Sequence, residues 1–236
     1  MKRVVLPEIG SGELILVNAA LPVRCRPAAL VPVGGDARLE KQAAEALDRL
    51  MEVIDGWAFI APVSGWRSRE EQEQLYSQSL RDNGRAFTEQ FVAVPGHSEH
   101  QTGLAIDLGL AQEELDRIRP RFPYDGICGE FRRWAADFGF IERYPAGKEE
   151  ITGIAHEPWH FRYVGAPHAA IMTELGLALE EYCQWVRQFA GADRAFQKGR
   201  YRIFYQQADG AAVLLPDSAS CTVSGDNACG WIVTVS

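Results

Sequence analysis

The chain holds 236 residues, 47% hydrophobic and 24% charged, with a formal net charge of −8, the balance of a globular domain with room for one small appendage. This charge argues against a nucleic-acid partner, which needs a basic face, and against electrostatic docking on an anionic membrane leaflet. The N-terminal MKRVVLPE has only a three-residue apolar run before Pro7, far short of the roughly 7–15 residues of a signal peptide. No stretch reaches the about 20 apolar residues of an integral membrane segment. With Met1 as the natural start the expected location is the cytoplasm; with a leader removed it is extracellular or at the cell wall. The five cysteines, Cys25, Cys128, Cys183, Cys221 and Cys229, form no C-x-x-C pair, which fits reduced thiols. Cys221 and Cys229 flank an expected hairpin and offer a bridge in an oxidising compartment.

In chain order, residues 14–18 (LILVN) read as a short strand ended by Asn18 and Pro22. Pro22, Pro27 and Pro32, then Gly34-Gly35, mark an irregular segment. Over 37–54 the apolar positions Leu39, Ala43, Ala46, Leu47, Leu50, Met51 and Ile54 recur at helical spacing. Residues 57–63 (WAFIAPV) read as a buried strand. Residues 68–80 read as a helix with Ser68 as N-cap and Glu70-Glu71 in the first turn, where the helix dipole favours anions. Strands are expected at 105–110 and 159–164, helices at 113–117 and 130–138, and one long helix at 167–189. Beyond Gly191 the texture changes to short β-prone runs at 201–205, 212–215, 221–223 and 231–235, separated by Gly, Asp, Asn and Pro. The expected organisation is a main domain over 1–197 with a small β appendage, 198–236, packed on it.

Two short segments carry the chemistry: Ser98-Glu99-His100-Gln101-Thr102-Gly103-Leu104-Ala105-Ile106-Asp107, and Glu157-Pro158-Trp159-His160. Asp107 lies inside an apolar run, and a buried carboxylate must be paired or bound to a metal. His160 sits between Trp159 and Phe161, an equally unusual place for an imidazole. Gly103 allows a turn that returns His100 to the strand of Asp107. Pro158 keeps Glu157 and His160 off one regular strand, where an offset of three aims side chains to opposite faces. Two imidazoles and one carboxylate leave a tetrahedral zinc with an open position, the pattern of a catalytic site. Such an ion lowers the pKa of a water from about 15.7 toward ~7, and Glu157 is then the natural general base.

Taken together, S-x-H-x-x-G-x-A-x-D over 98–107 and EPWH over 157–160 resemble the VanY-type D-alanyl-D-alanine carboxypeptidases and their VanX and VanXY relatives. The likeness extends to Ser64-Gly65-Trp66-Arg67-Ser68, Gln72, Leu75-Tyr76 and Ile151-Thr152-Gly153, and spans about 14–165. It implies an α+β fold of the hedgehog and DD-peptidase type, a small antiparallel sheet flanked by helices. It also implies one Zn2+ held by His100, Asp107 and His160, with Glu157 as catalytic base. Arg67 matches the arginine that steadies the substrate carbonyl as it becomes an oxyanion, and Ser98 and Gln72 match positions that seat the substrate. The implied substrate is a D-Ala-D-Ala-terminated peptide or muramyl pentapeptide, losing its terminal D-alanine.

Three rival readings stand beside this one. The first is cleavage of the free D-Ala-D-Ala dipeptide, alone or combined with carboxypeptidase action in the VanXY manner. The second is a non-catalytic cell-wall peptide binder on the same scaffold, since fold does not fix function. The third is a purely structural zinc site, which would need a fourth protein ligand. His97, His156 and His168 are read as ordinary structural histidines.

Overall fold

The structure is a computed structural model that describes residues 2–111, 116, 118–208, 212–215, 217 and 219–236. The helix expected at 113–117 lies, but for Asp116, outside the described residues. The chain divides into two compact units, Val17–Ala178 and a second made of Met1–Leu16 with Leu179–Ser236. In chain order the elements are β1 (Lys2–Val5), β2 (Leu30–Pro32), β3 (Arg38–Glu40), α1 (Lys41–Val53), β4 (Ile60–Ser64), α2 (Arg69–Phe91), β5 (Ala105–Leu110) and α3 (Gly126–Ala135). They continue with β6 (Phe140–Glu142), α4 (Glu149–Thr152), β7 (His160–Tyr163), α5 (Ala166–Leu175), α6 (Leu179–Val186), β8 (Phe196–Lys198), β9 (Tyr201–Gln207), β10 (Ala212–Leu215), β11 (Cys221–Gly225) and β12 (Gly230–Val235).

The unit Val17–Ala178 is built on an antiparallel sheet of order β4-β5-β7-β6. The helical spacing over 37–54 gives α1, whose Ala43, Ala46, Leu47, Leu50 and Met51 are all buried. Strand β5 is buried from Ala105 to Gly109, so Asp107 is a carboxylate within the core. On the sheet face away from His160, Phe161 packs edge-on against Phe122 and Phe131 at centroid distances of 5.3 and 4.8 Å. Helix α2 starts where Ser68 predicts. Ser68 Oγ accepts from Glu71 N–H at 3.1 Å and Glu71 Oε2 from Ser68 N–H at 2.7 Å, a reciprocal cap. It runs on to Phe91 across a kink at Gly84, φ 79°. This is the mixed α and β architecture with a small antiparallel sheet that the sequence motifs implied.

Three expected elements differ. Of the strand expected at 57–63, Trp57 and Ala58 belong to a 3₁₀ turn and β4 begins only at Ile60. Residues 14–18 form no strand: Leu14, Ile15 and Val17 are buried, but Leu14 N–H donates to the Ser224 hydroxyl, a side-chain tie in place of a ladder. The long helix over 167–189 is two helices, because Gly176 ends α5 in the left-handed conformation, φ 64°, as glycine does at helix C-termini.

In the second unit, β11-β12-β9-β8 form one antiparallel sheet and β1 pairs with β10. The expected boundary at 197/198 falls inside β8. Cys221 faces Val235 across β11 and β12, Cys229 lies in the turn between those strands, and both are free thiols. Among the described residues no helix is long and apolar enough to cross a membrane.

Candidate active site

Strand register builds the centre of the site. Asp107 on β5 pairs with His160 on β7 and with Ser64 on β4, and residues directly opposite on antiparallel strands share a face with Cβ atoms about 4.5–5.5 Å apart. Asp107 Oδ1 is thereby 2.9 Å from His160 Nδ1. His100 arrives from the 3₁₀ turn Glu99–Thr102, which Gly103 closes at φ 73°. A Cβ at Gly103 would stand 3.0 Å from the Glu40 backbone nitrogen. The turn delivers His100 Nε2 to 3.1 Å from Asp107 Oδ2, while Nδ1 lies 2.7 Å from the Gly65 carbonyl. A carbonyl only accepts, so Nδ1 carries the proton and Nε2 turns a lone pair to the site.

Pro158 makes the turn expected of it. His160 N–H donates to the Glu157 carbonyl at 3.1 Å, and Glu157 Oε2 stands 3.8 Å from His160 Nδ1. Burial pushes the Glu157 carboxyl up to about 8, with Asp107 adding to the rise against His160 and Arg67. Arg67, just before the cap of α2, donates its N–H to the His100 carbonyl at 3.2 Å. Its Nη1 donates to Gln72 Oε1 at 2.9 Å, and Gln72 Nε2 donates to the Ala93 carbonyl at 2.8 Å. Arg67 Nη2 is 3.8 Å from Asp107 Oδ2. Arg67, Gln72, Ser98, His100, Asp107, Glu157 and His160 all line one cleft of about 290 Å³. Every site residue expected from the sequence is in that cleft.

His100, Asp107 and His160 offer buried ligand atoms all within 4.8 Å of one another. The far side of His160 tests whether a metal fits. Its Nε2 faces Glu99 Oε2 at 3.6 Å, and both atoms are buried without a hydrogen bond. Glu99 Oε1 is already occupied, accepting from Arg143 Nε at 2.8 Å and Arg162 Nη1 at 2.7 Å. These arginines hold the Glu99 carboxyl far below the usual carboxylate range despite its burial. Without a cation, burial would lower the His160 imidazole, yet Asp107, Glu99 and Glu157 push it up to about 9. A cation on Nδ1 would leave the ring proton on Nε2, facing the ionised Glu99 carboxylate. This carboxylate–histidine–metal arrangement is the usual support of a metal-bound imidazole. The residues fit a metal.

The family model described as VanY, D-alanyl-D-alanine carboxypeptidase, matches residues 36–166. The chain belongs to the VanY family. Over 160 residues it is 48% identical to the bifunctional D-Ala-D-Ala dipeptidase and D-Ala-D-Ala carboxypeptidase VanXYC of Enterococcus gallinarum, covering 66% of this chain and 84% of the relative. Its fold matches the vancomycin resistance D,D-dipeptidase VanXYg, crystallised with a D-Ala-D-Ala phosphinate analog, with a TM-score of 0.94 and 47% identity, over 99% of this chain and 98% of that one. A mutant of the vancomycin resistance D,D-pentapeptidase VanY from a VanB-type cassette, in complex with Zn(II), matches with a TM-score of 0.61 and 32% identity, over 72% of this chain and 98% of that one.

Within this VanY-family site, sequence reasoning missed the Glu99, Arg143 and Arg162 cluster. One signal was present. Arg162 interrupts an aromatic strand, Phe161-Arg162-Tyr163, and both arginines are fully buried, as Asp107 is in its own run. The other histidines hold structural bonds. His97 Nδ1 is 2.8 Å from the Asn18 carbonyl, His156 Nε2 is 2.7 Å from the Tyr124 hydroxyl, and His168 is buried on α5.

Proposed function

We propose that the chain is a zinc-dependent D,D-carboxypeptidase that hydrolyses the terminal D-Ala–D-Ala bond of peptidoglycan precursors. The observation that carries this reading is the convergence of three metal-ligand side chains, a carboxylate and an arginine in one cleft. His100, Asp107 and His160 would hold one zinc ion, which would supply an acidified water and Lewis-acid stabilisation at the scissile carbonyl. In its ionised form Glu157 takes the proton of the attacking water. It then returns that proton to the amine of the leaving D-alanine as the C–N bond breaks. Arg67 donates to the oxygen that gains charge, a contribution of order ~10²–10³ in rate for a single positioned donor. Gln72 aims the guanidinium through its bond to Arg67 and, from the cleft wall, helps seat the substrate with Ser98. Ser98, at the cleft wall beside His100, meets the substrate's C-terminal carboxylate.

The likeness to VanXYC and VanXYg over so much of both chains favours a second substrate, the free D-Ala-D-Ala dipeptide, on the same machinery. Mass spectrometry of the zinc-loaded protein with dipeptide and muramyl pentapeptide side by side tests both. Loss of one alanine from pentapeptide is expected, with dipeptide cleaved as well if the VanXY likeness extends to substrate range. Neither substrate cleaved by zinc-loaded protein would overturn the proposal and favour a binding role.

The Glu99 cluster gives its own prediction. Glu99→Gln removes the charge that receives the His160 Nε2 proton, and loss of such a partner typically costs about 10–100-fold in metal affinity. It also removes the carboxylate that Arg143 and Arg162 both bond, so a lower melting temperature than the parent's is expected. Competition with a chromogenic chelator, below the melting temperature of the variant, measures the first effect. Unchanged zinc affinity would remove Glu99 from this role.

A further inference from the structure

Glu157 sits on a turn whose backbone is fastened at almost every polar group. Glu157 N–H donates to the Tyr144 carbonyl at 3.1 Å, the Glu157 carbonyl accepts from His160 N–H at 3.1 Å, and the Trp159 carbonyl accepts from Leu108 N–H at 3.0 Å. Those three are backbone bonds. Pro158 has no N–H, and its carbonyl is held by a side chain from another element: Arg132 Nη2 of α3 donates to it at 2.6 Å. The same Nη2 donates to the Phe122 carbonyl at 2.9 Å, and Nη1 pairs with Glu142 Oε2 on β6. The guanidinium is itself fixed, lying over the rings of Tyr124 at 4.1 Å and Phe122 at 5.0 Å, and its side chain is 13% exposed.

The residue on the other side of Glu157 is held by the same cluster. Tyr124 donates its one hydroxyl proton to Glu142 Oε1 at 2.6 Å. The phenol oxygen can then only accept from His156 Nε2, 2.7 Å away, with the rings stacked at 6.1 Å. Glu142 thus receives both Arg132 and Tyr124, and these reach Pro158 and His156, the two neighbours of Glu157; Glu142 Oε1 also stands 3.3 Å from His156 Nε2, the longer of the two holds on that ring. None of the four side chains lines the cleft.

We propose that Arg132 and Tyr124, joined through Glu142, are positioning residues that clamp both flanks of Glu157 and so set where its carboxylate stands. This rests on the reading of Glu157 as the proton-transferring base. A carboxylate displaced by about 1 Å from its working position can cost of order 10²-fold in rate, whereas the metal ligands on β5, on β7 and in the 3₁₀ turn keep their own supports.

Two mild variants test it in the full chain. Arg132→Lys keeps a cation for Glu142 but lacks the planar fork that reaches two carbonyls; Tyr124→Phe removes one exposed hydroxyl and leaves the ring. Each is expected to lower kcat by between about 10- and 100-fold, with KM and zinc affinity within about twofold of the parent, on whichever of the dipeptide and pentapeptide the parent cleaves. Arg132→Ala should regain part of its kcat with millimolar guanidinium. Parental kcat per bound zinc in Arg132→Lys, or in Tyr124→Phe should Arg132→Lys not fold, would overturn the clamp. So would a rate loss matched by an equal loss of zinc. Glu157→Gln is measured beside them: if it still turns over, the base assignment fails; if it is dead while both clamp variants are normal, the clamp alone fails.

Discussion

Glu157→Gln lowers turnover by about 10²–10⁴-fold while the protein still folds and still binds its ion. Glutamine keeps the size and the polar atoms of the side chain but cannot carry the proton from the attacking water to the leaving amine. The proposed metal ligands, His100, Asp107 and His160, are untouched, so the ligand set is intact in the variant. Glutamine fills the same buried space as glutamate, so the melting temperature should stay close to the parent's. Steady-state kinetics, zinc content per chain and a thermal melt check the three parts. A near-parental rate at full zinc occupancy would remove Glu157 from proton transfer.

Asp107→Asn is expected to be the most damaging substitution among the ligands. Asp107 is the shared partner of both imidazoles, with Oδ1 toward His160 and Oδ2 toward His100. Those neighbours hold its carboxyl far below the ordinary range in spite of burial. An amide removes the negative donor and turns an N–H toward one of the two lone pairs. Zinc affinity should fall by more than about 100-fold, beyond the cost of losing an outer partner. In the parent, a strong chelator should abolish hydrolysis and added zinc should restore it. Activity undiminished after complete zinc removal would sink the metal-dependent reading.

The site was more legible in the sequence than the fold around it. Asp107 and His160 stood out because each is a polar residue inside an apolar or aromatic run, an arrangement that burial forbids without a partner. Gly103 and Pro158 marked the turns that bring His100 and Glu157 to them. Local signals also placed Ser68 and the start of α2, because a helix cap is written within four residues. Of the groups behind those residues, Arg162 alone left a local mark, a charge between Phe161 and Tyr163, and its partners were hidden for the opposite reason. Glu99 meets Arg143 and Arg162 across separations of 44 and 63 positions, and Arg132 meets Pro158 across 26, so only the folded sheet brings them together. The break at Gly176 was lost in an apolar stripe continuing on both sides. Residues 14–18 carry a strand composition, but Leu14 is tied to Ser224 of β11 through a side chain instead of a ladder, which composition cannot reveal.

The opposition of Asp107 to His160 has a consequence for how this catalytic centre can be altered. Side chains on a strand alternate between faces, so sliding β7 by one residue against β5 would turn His160 into the phenylalanine-lined interior and bring a neighbour to the ion. The stretch separating the two ligands, 53 positions along the chain, can gain or lose residues in its loops without touching that alignment. Insertions grafted at the exposed Ala146-Gly147 turn between β6 and α4, where nothing stands within 4 Å of a Cβ at Gly147, should therefore be survivable, whereas a single residue added within His160–Tyr163 should leave a folded sheet with no place for zinc.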